Sequence, residues 1–117
     1  MPRAGAGELQ VFKAEFFRAL AHPLRIRILE ALRAGEQSVG ELQAKLDVEQ
    51  PLLSQQLGVL RTKNILGTHK EGTTVRYFLK DPVVHELLDV ARRIFDRHLV
   101  GTQTMLRELR AESRARR

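Results

Sequence analysis

Apolar residues recur at every third or fourth position through most of the chain and alternate with polar ones in two short runs, which predicts helices interrupted by one β-hairpin. Leu9, Phe12, Phe16, Phe17 and Leu20 form a heavy apolar stripe, so a first helix is expected over residues 8–20. His22-Pro23 opens a second helix to about residue 34, with Ile26, Leu29 and Leu32 facing inward and Gly35 as its stop. Arg25, Arg27 and Arg33 read as the solvated face of that helix. Ser38 with Glu41 three residues on is a capping box, which predicts a short third helix over residues 39–46, and Asp47-Val48-Glu49 makes the following turn. Gln50 and Pro51 then open a fourth helix, since proline's fixed φ suits the first helical turn.

In this fourth helix, residues 50–64, Leu53, Leu57 and Leu60 supply the buried side. Gln50, Ser54, Gln55, Gln56 and Arg61 are assigned to the opposite side, where short hydrogen-bonding groups can reach base edges and phosphates in a major groove. Residues 65–69 and 74–79 are strand-like, and Glu71-Gly72-Thr73 is the hairpin turn between them. Asp81 and Pro82 begin a long last helix carrying Val84, Leu87, Leu88, Ala91, Ile94, Phe95 and Leu99 on one stripe, with Met105, Leu106 and Leu109 extending it past Gly101. The result is a mainly α fold with a small β-hairpin wing. A helix followed by a basic hairpin is the winged helix-turn-helix layout, in which one helix braces a second that lies in the groove.

Length and charge sharpen this picture. A chain of 117 residues makes one modest core, and pairing with a second copy would add to it. Residues 1–7 read as a flexible leader, 8–100 as the DNA-binding and dimerisation domain, and 101–117 as a helix extension and basic tail. From Arg107 onward five arginines mix with two glutamates and no apolar period follows Leu109, so this end is expected to be disordered and loosely attracted to DNA. The net charge of +6 favours a polyanionic partner, because phosphate neutralisation by Lys and Arg releases counterions. No apolar run is long enough to span a bilayer and no signal-peptide pattern is present, so a cytoplasmic location with no membrane partner is expected. The absence of cysteine excludes disulfides and thiolate metal sites.

Three separated motifs, LAHPLRIRILEAL at 20–32, SVGELQAKLDVEQPLLSQQLGVLR at 38–61 and KEGTTVRYFL at 70–79, together resemble the ArsR/SmtB family of bacterial winged-helix repressors over roughly residues 9–100. The resemblance implies a homodimer held by the first and last helices, through Leu9, Phe12, Phe16, Leu87, Leu88, Ala91, Ile94, Phe95 and Leu99. It implies a double-stranded, inverted-repeat operator contacted by Gln50, Leu52, Ser54, Gln55, Gln56 and Arg61 of the fourth helix. Wing contacts would come from Lys70, Thr73, Thr74 and Arg76.

Many members sense metals, yet the ligand motifs are missing here. Gln43 and Lys45 stand where thiolate sensors carry a Cys-x-Cys pair, and an ammonium there repels a cation. Asp81 is followed two residues on by Val83 rather than His, and the second ligand pair of the last-helix sites falls near Ile94 and Arg97. His85, Asp89, Asp96 and His98 are what remains, so no metal or cofactor is assigned; a non-standard metal site on the last helix is the alternative within the class. No phosphate loop, HExxH or GxSxG motif points to an enzyme. Outside the class, the alternative is a winged-helix protein-interaction or RNA-binding module. The inducer is not legible.

Overall fold

Two helices begin where a side chain supplies a partner for their first free N–H groups. In the computed structural model, which describes residues 7–98 and 103–115, the helices are α1 (Glu8–Leu20), α2 (Pro23–Ala31), α3 (Val39–Leu46), α4 (Gln50–Thr62), α5 (Val83–His98) and α6 (Gln103–Ala115). The His22 Nδ1 accepts from the Leu24 N–H at 3.1 Å to cap α2. Ser38 and Glu41 close the expected capping box on α3, with Glu41 N–H donating to Ser38 Oγ at 3.2 Å and Ser38 N–H donating to Glu41 Oε1 at 2.9 Å. Asp47 ends α3 in the left-handed region at φ 53°, which a short polar side chain tolerates, and the chain turns sharply into α4.

Two compact units divide the chain between Asp81 and Pro82. In the first, α2, α3 and α4 pack on one another and α4 meets the hairpin. Ile28, Leu29, Leu42, Leu53, Leu57, Leu60 and Leu66 are fully buried there. Leu29 and Leu32 are buried as expected, and Leu24 and Ile28 join them, while Ile26 is only half-buried, so that one inward assignment is corrected. After α2 the chain tightens into a 3₁₀ turn, Leu32–Ala34, which continues the second helix to its expected end.

The wing consists of β2 (Leu66–Glu71) and β3 (Thr74–Leu79), paired antiparallel from Leu66 with Leu79 to Glu71 with Thr74. At its tip Gly72 has φ 66° and Thr73 does not share the positive sign, the pattern of a II′ turn. A strand the sequence did not predict, β1 (Gln37–Ser38), pairs antiparallel with β3 and makes it the middle of a three-stranded sheet ordered β1-β3-β2. Buried Gln37 donates from Nε2 to the Ala31 carbonyl, tying this strand to the end of α2.

In the second unit α6 packs on α5, with Leu109 buried and Arg92 donating to Ser113 Oγ at 2.8 Å. The expectation of a disordered end from Arg107 onward is corrected through Ala115: Leu, Arg, Glu and Ala are strong helix formers, and the Met105, Leu106 and Leu109 stripe has α5 to pack on. The leader before Gly7, Leu99, the junction at Gly101, and Arg116 and Arg117 lie outside the described residues. Among the described residues no helix is long and apolar enough to cross a membrane.

Gly67 faces Phe78 across the wing, and a Cβ there would stand 2.5 Å from Phe78 Cζ. Gly67→Ala must therefore displace the ring, and we expect a loss of about 1–3 kcal/mol in unfolding free energy, read from urea titration. An unchanged midpoint would mean that the ring swings aside freely.

Candidate nucleic-acid interface

Burial of Leu53, Leu57 and Leu60 fixes the rotational setting of α4. Gln50, Leu52, Ser54, Gln55 and Arg61 are consequently exposed, as expected. Gly58 is exposed among them with open space where a side chain would project, so the outer face has a bare notch in its middle. The sequence carried a signal for it, because a glycine inside a helix costs about 1 kcal/mol relative to alanine and so marks a position with a special requirement.

Gln56 is not on that face. It is 7% exposed, and its Oε1 accepts from Arg25 Nε at 2.8 Å. Its assignment to the groove-facing side is therefore corrected: at about 100° per residue, position 56 lies only about 40° from Leu60, within the buried arc. The solvated role expected for Arg25 is corrected with it, since Arg25 is half-buried, whereas Arg27 is exposed as expected while reaching a backbone carbonyl. Arg25 also donates to the Ala19 carbonyl at 3.2 Å and the Arg18 carbonyl at 3.5 Å, and Arg27 donates to the Leu46 carbonyl at 2.6 Å.

On the wing, Lys70, Thr73 and Thr74 are exposed around the tip. Arg76 is engaged elsewhere. Its guanidinium donates to the Glu36 carbonyl at 2.8 Å and faces Glu41 Oε1 at 3.3 Å and Glu36 Oε1 at 3.8 Å. His69 Nε2 lies 3.2 Å from the same Glu36 carboxylate. A cation flanked by two carboxylates offers little net charge to a phosphate, so the expectation of Arg76 as a free wing contact is corrected to that of a brace between wing and α3. Tyr77, half-buried on β3, sits between Gln37 of β1 and Thr68 of β2.

The exposed cations of this face are Arg61 on α4 and Lys70 beside the wing tip, while Lys63 lies with Phe12, Glu15 and Phe16 of α1. A polar helix face beside a hairpin with a lysine at its tip can bond base edges and neutralise backbone phosphates. Among the described residues no three His, Asp or Glu side chains are grouped to hold a metal ion.

A family model described as a helix-turn-helix domain matches residues 20–66. The HTH-type transcriptional regulator Rv0081 of Mycobacterium tuberculosis is 45% identical over 104 residues, covering 88% of this chain and 91% of that protein. Its crystal structure superposes with a TM-score of 0.72 at 46% identity, over 79% of this chain and 93% of that one. The chain belongs to the ArsR/SmtB-like winged helix-turn-helix transcriptional regulators. A biofilm growth-associated repressor of Agrobacterium fabrum is also 45% identical, over 82 residues, covering 70% of each chain. For a regulator of this group α4 is the recognition helix and the hairpin is the wing, and DNA is the partner.

Glu41 belongs both to the α3 cap and to the Arg76 brace. The Ser38 N–H bond holds its carboxyl below the ordinary value of 4.5, with the Arg76 charge adding to this and partial desolvation working against it. A carboxyl depressed by folding contributes stability above its unfolded value, and that contribution disappears as pH falls through the lower folded value. We therefore expect the stability gap between wild type and Glu41→Gln to be constant near neutral pH and to close below about pH 4.5, as measured by urea midpoints.

Proposed function

We propose that the protein is a homodimeric repressor that occupies an inverted-repeat operator and blocks transcription. The observation that carries this reading is the outward face of α4, where Gln50, Ser54, Gln55 and Arg61 stand free beside a wing whose tip presents Lys70, Thr73 and Thr74. Glutamine can pair in bidentate fashion with adenine, and the serine and arginine reach bases or phosphates. Gln56 and Arg76 support these contacts from behind, while Leu52, exposed at the start of the helix, meets a thymine methyl or sugar.

Two apolar surfaces support the dimer. On α1, Leu9 and Phe12 are exposed, the latter by 72%, and Phe16 is half-buried. On α5, Ile94 and Phe95 are exposed and Leu87, Leu88 and Ala91 are half-buried. Apolar area of this kind is shed by pairing. Two copies related by a two-fold axis would place paired recognition helices about one helical turn apart on DNA, which the symmetry of an inverted repeat matches. Repression, as in the Agrobacterium relative's name, follows from occupying promoter DNA. The regulator needs no membrane and no assigned cofactor in this scheme.

The reading is tested by the mass of the purified protein and by its binding to duplexes selected from random DNA, which should be two-fold symmetric and salt-sensitive. Phe95→Glu should yield a monomer in sedimentation that no longer binds tightly; a monomer that still does so contradicts the scheme. Gln55→Ala should cost about 1–3 kcal/mol and flatten preference at particular base pairs, whereas Lys70→Ala should weaken all duplexes alike and lower the salt slope by about 1.

A further inference from the structure

Arg25 connects elements that have different tasks. From α2 its Nε donates to Gln56 Oε1 on the recognition helix at 2.8 Å, and its Nη1 donates to the carbonyls of Ala19 and Arg18 at 3.2 and 3.5 Å. Those carbonyls belong to the last turn of α1, where helix geometry leaves C=O groups short of donors and the helix dipole favours a cation; the Arg18 carbonyl is shared with the Ala21 N–H at 3.1 Å. A guanidinium suits this place because its planar fork holds several donors in fixed directions, which an ammonium cannot do.

We infer that Arg25 is a positioning residue for sequence reading, tying Gln56 of α4 to the C-terminal turn of α1 and so fixing the rotation and tilt at which the adjacent Gln55 meets DNA. This rests on the proposed role of the outer α4 face in reading bases. Gln56 is fitted to the task by being buried with its oxygen committed, and the leucine seam, which sets the rotation of α4 coarsely, leaves it the small angular play that side-chain packing tolerates. Arg25 removes that freedom by a directional bond made off the seam. The anchor is the same helix that carries Leu9, Phe12 and Phe16, so the setting of α4 is referred to the helix proposed to pair with a second copy.

The test compares affinity for a duplex selected by the wild type from random DNA with affinity for a scrambled duplex of equal length at one salt concentration. Arg25→Lys keeps the charge and loses the fork. Gln56→Leu keeps the volume and loses the acceptor, and Gln56→Glu keeps the acceptor. We expect the first two each to lower the selected-to-scrambled ratio about tenfold, the double variant to lower it no further than either alone, and Gln56→Glu to stay within about threefold of wild type. A merely structural role would reduce both affinities together as the folded fraction fell and leave the ratio intact, which overturns the inference. Additive losses overturn it too, as does a Gln56→Leu variant that changes preference at one base pair only, since Gln56 would then be reading that base. If Arg25→Lys fails to fold, the Gln56 pair decides: equal ratios for Leu and Glu refute the tie. A wild type that selects no sequence removes the base-reading role of α4 and the inference with it, whereas a selective wild type with an unchanged Arg25→Lys ratio removes the inference alone.

Discussion

The seam of Leu53, Leu57 and Leu60 is the constraint on which the nucleic-acid face depends. These side chains are fully buried against the rest of the first unit, and a helix so anchored has one rotational setting in which its apolar arc is satisfied. Every outward residue of α4 follows from that setting. The chemistry of the surface is therefore selected by what is hidden beneath it, and a change in the leucines would move the polar groups without altering any of them.

Polar ties then refine what apolar burial sets coarsely. Arg25, Arg27 and Arg76 each spend their guanidinium on carbonyls or carboxylates of a neighbouring element, joining α2 to α1 and α4, α2 to the end of α3, and β3 to the segment before α3. Arginines that a composition count assigns to phosphates are used internally. The cations left to meet DNA are fewer than the net charge suggests, which places more of the binding on helix-borne hydrogen bonds and on the wing tip.

The helices and hairpin were legible in the sequence because each has a local cause: a capping box at Ser38, a proline at the start of α2 and of α4, alternation across the wing. Gln56 was misread because its type, a glutamine among glutamines, was weighed above its angle beside Leu60. Arg76 was beyond reach, since its partner Glu36 is forty residues away and only the sheet brings them together. β1 has the same origin: two residues, Gln37 and Ser38, have no periodicity, and they are strand only because β3 runs beside them. Helix α6 is legible in composition, but the apolar period stops at Leu109, and nothing in the pattern beyond it signals that the helix runs on to Ala115.

Because β3 lies in the middle of the sheet, β2 is an outer strand of the first unit, with a row of backbone groups that no other strand of this sheet satisfies. Such a margin invites a stranger's strand to add on. Lys70 and Glu71, at the end nearest the tip, make that addition unfavourable through charge and hydration. The lysine proposed to meet a duplex thus also guards the molecule against stacking into ribbons, and a variant that trades it for an apolar residue risks insolubility.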